Sequence, residues 1–353
     1  MSFLEKNIQN IKPPDAGVYA AAKERLRNQA RPAGSLGMLE DVAARLAGIF
    51  GTLDVRLEKK RVVVCAGDHG ICAEGVSLFP SEVTSQMVCN FVKGGASINV
   101  IARHAGADVT VADLGVDGEF DPDLPICHKK IRKGTSNFAK GSAMTRDEAE
   151  RSIEAGIQSV EELLTDAPIH LLAPGDMGIG NTTPSTAIIA VYSGLPVPQL
   201  TGRGAGLTDD GLDQKITAIE NGLALNKPDP GDPMDVLAKV GGFEIGGIAG
   251  LVIGAAAHGI PVVCDGFIST AGALIACELA PGSRDYLFAS HNSAEAGHRF
   301  MLDHLKLAPL LDLKLRLGEG TGAALAMELM DAATRMLSEI KTFEEVAIED
   351  AQE

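Results

Sequence analysis

The chain has 353 residues, 45% of them hydrophobic, enough for one large domain or one large and one small domain around a sizeable core. Forty-seven acidic against 31 basic side chains leave a net charge of −16, which repels phosphate backbones and anionic lipids and argues against nucleic-acid and membrane-surface partners. With 4% aromatics and no Trp, the core must be built from Ala, Val, Ile and Leu, and any bound phosphate must be held locally by backbone N–H groups and a few cations.

The first segment, MSFLEKNIQNIKPPD, is charged and lacks an apolar stretch, so no secretory signal is expected and a cytoplasmic location is. Residues 16–50 show helical spacing over Ala20 to Leu26 and again over Leu36 to Ile49. Between them RPAGSLG, residues 31–37, predicts a break, with Ser35 as a candidate cap for the second helix.

The pattern then changes. RVVVCA (61–66) ends in GDHG, VTVADL (109–114) in GVDG, IHLLA (169–173) in PGDMGIGN, and IPVVC (260–264) in DGF. Strands apolar on both faces, alternating with helical segments, predict an α/β fold with a doubly wound parallel sheet covered on both sides. Ligands in such sheets bind beyond the carboxyl ends of the strands, where these Gly and Asp turns fall. The Gly-rich apolar run from Gly246 to Ala257 is too short to span a bilayer. Gly322 to Ile340 reads as a helix, and the acidic residues 344–353 as a solvated end. The six cysteines, at 65, 72, 89, 127, 264 and 277, form no CxxC pair and read as buried free thiols.

Five constellations could carry chemistry. In RLGEGTG (316–322), glycines flank Glu319 and let backbone approach a ligand; a buried Glu suits proton abstraction from a ring N–H, although a helix-capping Glu has the same spacing. GDMGIGNTT (175–183) follows a strand and opens a helix near Thr183-Pro184, with Pro in a favoured first position. Its N–H groups and the helix dipole make an anion site, unless it is only a tight turn; its glycine spacing is not that of a dinucleotide fingerprint. TGRGAG (201–206) with Lys215 could hold phosphate, or carry ordinary surface charges. Asp68 and His69 could be an acid–base pair or a structural one. Phe79, Met87 and Met177 could line a flat aromatic ligand or simply pack.

Their order is more specific than any one of them. GDHG (67–70), FPSEVT (79–84), NF (90–91) and GGA (94–96) come first; DLGVD (113–117), GDMGIGNTTP, VGGFEIGGIAG (240–250), DGF (265–267), HNSAE (291–295) and RLGEGTGAALA (316–326) follow. Together with RPAGSLG near the start, this series resembles the nicotinate-nucleotide–dimethylbenzimidazole phosphoribosyltransferases across nearly the whole chain.

The resemblance implies a large α/β domain over 60–320 and a small helical domain from 1–59 plus 321–353, in a homodimer. It implies transfer of 5-phosphoribosyl from nicotinate mononucleotide to 5,6-dimethylbenzimidazole, giving α-ribazole 5′-phosphate and nicotinate, with no metal or other cofactor. Glu319 takes the place of the family's catalytic glutamate. Asp176 stands where family members often carry Glu, and a secondary proton-handling role falls to it one methylene short. Phe79, Met87 and Met177 are expected around the base, Gly178, Gly180, Gly204, Lys215 and Ser293 around the nicotinate ribose and phosphate, and Leu317 among the substrate-binding residues. The alternatives are the same transfer to another benzimidazole, a purine or a phenol, or a non-catalytic partner subunit.

Overall fold

The computed structural model describes residues 1–204 and 206–347. At its centre lies one parallel sheet of β1 (Lys60–Gly67), β2 (Ala107–Gly115), β3 (Cys127–His128), β4 (Leu171–Met177), β5 (Val262–Cys264), β6 (Leu287–His291) and β7 (Pro309–Leu311), in the order β3-β2-β1-β4-β5-β6-β7. The chain winds outward from β1 in one direction and then from β4 in the other, so the connection reverses between them. A doubly wound sheet opens a crevice at that reversal, past the carboxyl ends of the strands.

Side chains along β1 alternate between two apolar clusters. Val63 and Cys65 face one, and Val62, Val64 and Ala66 the other. This is the period-two signature of a strand buried on both faces. The first cluster is closed by helices Arg146–Asp166, Phe243–Ala257 and Phe267–Leu279, the second by Ala16–Arg27, Met38–Phe50 and Thr321–Glu339. The terminal helices thus share a core with the sheet, while the first helix, Phe3–Asn10, packs on the opposite face against Phe243–Ala257 and Arg146–Asp166. Glycines in Phe243–Ala257 explain its composition: a Cβ at Gly250 would collide with the carbonyl oxygen of Ile153, so only Gly permits this helix contact.

The strands expected at 61–66, 109–114, 169–173 and 260–264 are present as β1, β2, β4 and β5. The fully buried β6, Leu-Phe-Ala-Ser-His, was not expected, because it carries no β-branched residue. Two local expectations are corrected. Gly37 precedes helix Met38–Phe50, and Ser35 instead accepts a hydrogen bond from the Arg31 guanidinium. Helix Thr182–Ser193 begins after Asn181, which makes Pro184 its third residue rather than its first. At the other end Phe343–Val346 forms a short helix capped by Thr342, and the remainder of the acidic end lies outside the described residues.

Candidate active site

The carboxyl ends of the strands gather a dense set of polar groups. Asp68 and His69 follow β1, Asp176 lies at the end of β4, Asp265 follows β5 and His291 ends β6. The segment 316–320 crosses above them and feeds helix Thr321–Glu339.

Glu319 is held in an unusual conformation. Gly318, Glu319 and Gly320 have φ of 85°, 63° and 92°, three consecutive residues in the left-handed region. For a residue with a side chain this costs about 1–2 kcal/mol, and the tertiary structure must impose it. Asp265 does so from β5: its carboxylate accepts from the N–H groups of Gly320 (3.2 Å), Gly322 (2.8 Å) and Ala323 (3.1 Å). These are orphan donors of a helix N-terminus, capped across the fold by a residue far away in sequence. Gly175 completes the fit, since a Cβ there would strike the carbonyl of Glu319.

The Glu319 carboxylate is 5% exposed and accepts one hydrogen bond, from the Ile98 N–H at the start of helix Ser97–Ala105 (3.1 Å). Burial raises its pKa above the ordinary glutamate range, the Ile98 N–H opposes that rise, and nearby Asp265 adds to it. Asp176 is buried too and accepts from the Asn181 side chain (3.0 Å). Burial, first, and then the charges of Asp265, Glu244 and Glu319 push its carboxyl well above the usual range, against the Asn181 hydrogen bond. A Cβ at Gly318 would lie 2.9 Å from Asp176 Oδ2, so the Glu319 turn rests directly on this carboxyl.

A second polar centre lies on the other side of Asn181. Lys215 is fully buried, and its ammonium donates to the Thr182 hydroxyl (2.6 Å) and the Gly202 carbonyl (3.2 Å). Burial holds its pKa down at about 8, with Glu295 pulling the other way. The Nζ sits 3.8 Å from where a Cβ on Gly204 would be, so the 202–204 turn wraps the ammonium. Arg316 ties this turn to the Glu319 segment by donating to the Gly204 carbonyl (2.9 Å). Ser293 is buried at the β6 end; its hydroxyl accepts from the Glu295 N–H (3.3 Å). Lys215, Gly204, Ser293 and the 178–181 turn, an expected set, are therefore linked through Thr182, Gly202 and Glu295.

Gly178 and Gly180 lie where β4 turns into helix Thr182–Ser193. A Cβ on Gly178 would meet the Gly67 carbonyl and lie 3.1 Å from His69 Nε2. At Gly180, φ is 85°, and a side chain would press on the Cys72 sulfur 2.5 Å away. Asp68 and His69 do not pair with each other. His69 Nε2 instead meets Glu244 Oε1 at 2.8 Å, both side chains essentially without exposure, while Asp68 Oδ2 accepts from the Asp117 N–H (2.8 Å). The acid–base pair considered from the sequence is corrected to a buried His69–Glu244 contact beneath the 178–181 turn.

The apolar residues expected to bind substrate divide. Met87 and Met177 are half-buried against the second cluster, whereas Phe79 and Leu317 are 51% and 55% exposed. No described contact joins Phe79 or Leu317 to Glu319. An open cavity of about 680 Å³ lies elsewhere, lined in part by Arg132, Arg146 and Lys239. We place the site by its converging polar groups, since each of those three basic side chains is already paired with a carboxylate. Sequence reasoning singled out neither Asp265 nor Glu244 nor Glu295. Each is a single acid in a Gly-, Ala- or otherwise apolar-rich run, and only tertiary closure reveals its partners.

Residues 11–348 match the model of a family described as phosphoribosyltransferase. Among curated proteins, the chain is 57% identical to the nicotinate-nucleotide–dimethylbenzimidazole phosphoribosyltransferase of Geobacter sulfurreducens and 56% identical to that of Geobacter sp. strain M21, over 99% of both chains in each case. Among solved structures, it is similar to CobT from Thermus thermophilus, with a TM-score of 0.91 and 47% identity, covering 95% of this chain and all of that one.

Proposed function

As the chain belongs to the nicotinate-nucleotide–dimethylbenzimidazole phosphoribosyltransferase family, we propose that it transfers 5-phosphoribosyl from nicotinate mononucleotide to 5,6-dimethylbenzimidazole. The products are α-ribazole 5′-phosphate and nicotinate, a step in assembling the cobalamin lower ligand.

The observation that carries this reading is Glu319. A buried carboxylate with a raised pKa is forced into a left-handed turn at the reversal point of a doubly wound sheet. Backbone strain of this kind persists where the surrounding structure over-determines it, and it clusters at reactive sites. In the proposed mechanism Glu319 takes the proton from the ring N–H of the incoming base as its other nitrogen attacks the anomeric carbon. Nicotinate leaves from a pyridinium, so its departure needs no protonation. Attack on the face opposite the leaving group converts the β-nucleotide into the α-linked product, and the Glu319 carboxylate also faces the positive charge that develops on the ribose.

Lys215, with the N–H groups of the 178–182 and 202–204 turns, is the natural partner for the 5′-phosphate. Its ammonium hydrogen-bonds only neutral oxygens among the described residues, and a phosphate would supply the missing charge. Ser293 lies at the same end as Lys215, and Met87, Met177, Phe79 and Leu317 form the apolar mouth for the base. Asp176, whose carboxyl burial pushes well above the usual range, supports the Glu319 turn. A homodimer working in the cytoplasm completes the reading. No helix among the described residues is long and apolar enough to cross a membrane.

The test is direct. Purified protein, nicotinate mononucleotide and 5,6-dimethylbenzimidazole are incubated, and nicotinate and ribazole phosphate are quantified with assignment of anomeric configuration. Stoichiometric nicotinate and α-product are expected. Nicotinate release without the α-product, or preference for a phenol in competition, would contradict the assignment of acceptor.

A further inference from the structure

Asp265 is 1% exposed and directly follows β5. Its two oxygens take three N–H groups from the segment that immediately follows Glu319. An acceptor of three donors with no donor of its own in use is a carboxylate in its charged form. His291, at the end of β6, places Nδ1 3.8 Å away. Gly322 is packed so closely on that imidazole that any Cβ there would collide with it.

We propose that Asp265 is the positioning residue for Glu319: its carboxylate clamps Gly320, Gly322 and Ala323 so that the preceding peptide stays left-handed, and its negative charge sets the pH range in which Glu319 works as a base. This rests on the reading of Glu319 given above. The clamp explains why a residue with a side chain tolerates a conformation normally left to Gly. Without it, Glu319 would relax toward right-handed backbone and its carboxylate would swing away from the Ile98 N–H. The groups facing the Glu319 carboxyl are Asp176 from β4, Asp265 from β5 and the Ile98 N–H from helix Ser97–Ala105, and the groups facing Asp265 are His291 and Asp176.

The pH effect has a definite sign. Turnover falls as pH drops and Glu319 takes up a proton. A negative neighbour favours the protonated form and moves that fall to higher pH, which agrees with the raised pKa of Glu319. Asp265→Asn removes the charge and presents an amide N–H₂ to backbone donors. We expect kcat to fall about 10- to 100-fold with the KM for nicotinate mononucleotide held within about threefold, and the acidic limb of kcat/KM to move to lower pH. Asp265→Glu keeps the charge but misplaces it, so kcat falls while the limb stays. A profile that drops uniformly in Asp265→Asn, with no sideways movement of the limb, would overturn the electrostatic part.

Hydrogen exchange on the unsubstituted enzyme without substrates tests the clamp even if Asp265→Asn does not fold or the functional reading fails. The amides of Gly320, Gly322 and Ala323 are expected to exchange about 100-fold or more slowly than in an unstructured peptide. Exchange at the unstructured rate would remove the clamp.

Discussion

The two ends of the site meet burial with opposite charges. At one end Asp176 and Glu319 are carboxyls driven toward their neutral forms by loss of water and by neighbouring acids, while Asp265 feels the same loss of water against the opposing pull of His291 and its backbone N–H donors. At the other, Lys215 is an ammonium driven toward its neutral form by the same loss of water, down to about 8. The carboxyl end offsets its burial with backbone N–H groups, three to Asp265 and one to Glu319. Among the described residues the Lys215 ammonium hydrogen-bonds a hydroxyl and a carbonyl, with Glu295 as the carboxylate nearby. Fixed dipoles at one end and an under-compensated charge at the other suit different tasks: a base with a raised pKa, and a cation completed by an arriving anion.

Substitutions that break one end and spare the other sharpen this contrast. The largest effect belongs to Glu319→Gln, with kcat reduced about 10³-fold or more in the nicotinate-release assay and binding of nicotinate mononucleotide retained by calorimetry. Next is Lys215→Met, which preserves packing but removes the cation. The KM for nicotinate mononucleotide should rise about 10- to 100-fold, as for a lost charge-assisted hydrogen bond, with a smaller change in kcat. In the unsubstituted enzyme the same residue predicts that this KM climbs as pH rises through about 8, where the empty site gives up the lysine proton, while kcat, set by the phosphate-bound form, holds further into the alkaline range.

Gly175→Ala acts on the junction rather than on either charge. The added methyl would strike the Glu319 carbonyl, so a loss of about 1–3 kcal/mol in stability, read by thermal or urea unfolding, should accompany a fall in kcat. The smallest effect is expected for Leu317→Ala. This side chain is largely exposed, and a change of less than about tenfold in KM for the base, with no change in unfolding midpoint, fits a contact made only at the rim.

The two ends were also unequally legible in the sequence. Strands such as RVVVCA declare themselves because β-branched residues buried on both faces have few other uses. Glu319 declared itself through flanking glycines, read as allowing backbone to approach a ligand; the three consecutive positive φ angles they share with it were not part of that reading. The 201–206 loop and Lys215, on helix Asp209–Asn226, had the right residue types but no local signal that the cation would be buried. Asp265 was quoted only as part of a DGF run: its hydrogen bonds reach 55 to 58 residues along the chain, and no short-range pattern encodes such a contact. For the same reason His69 was considered with its neighbour Asp68, while its true partner, Glu244, lies 175 residues away. β6 escaped because Leu, Phe, Ala, Ser and His satisfy a buried strand without resembling one.

The most direct test of the central claim, that Glu319 removes the proton of the incoming base, uses the conformation of its own backbone. At φ 63° glycine is the easier residue, so Glu319→Gly should leave the turn intact and open a space the size of a carboxylate. Turnover to α-ribazole 5′-phosphate should fall by about 10²- to 10⁴-fold and be restored in part by added formate, saturably and only at pH values where formate is ionised. Near-normal turnover by this variant without formate would contradict the account.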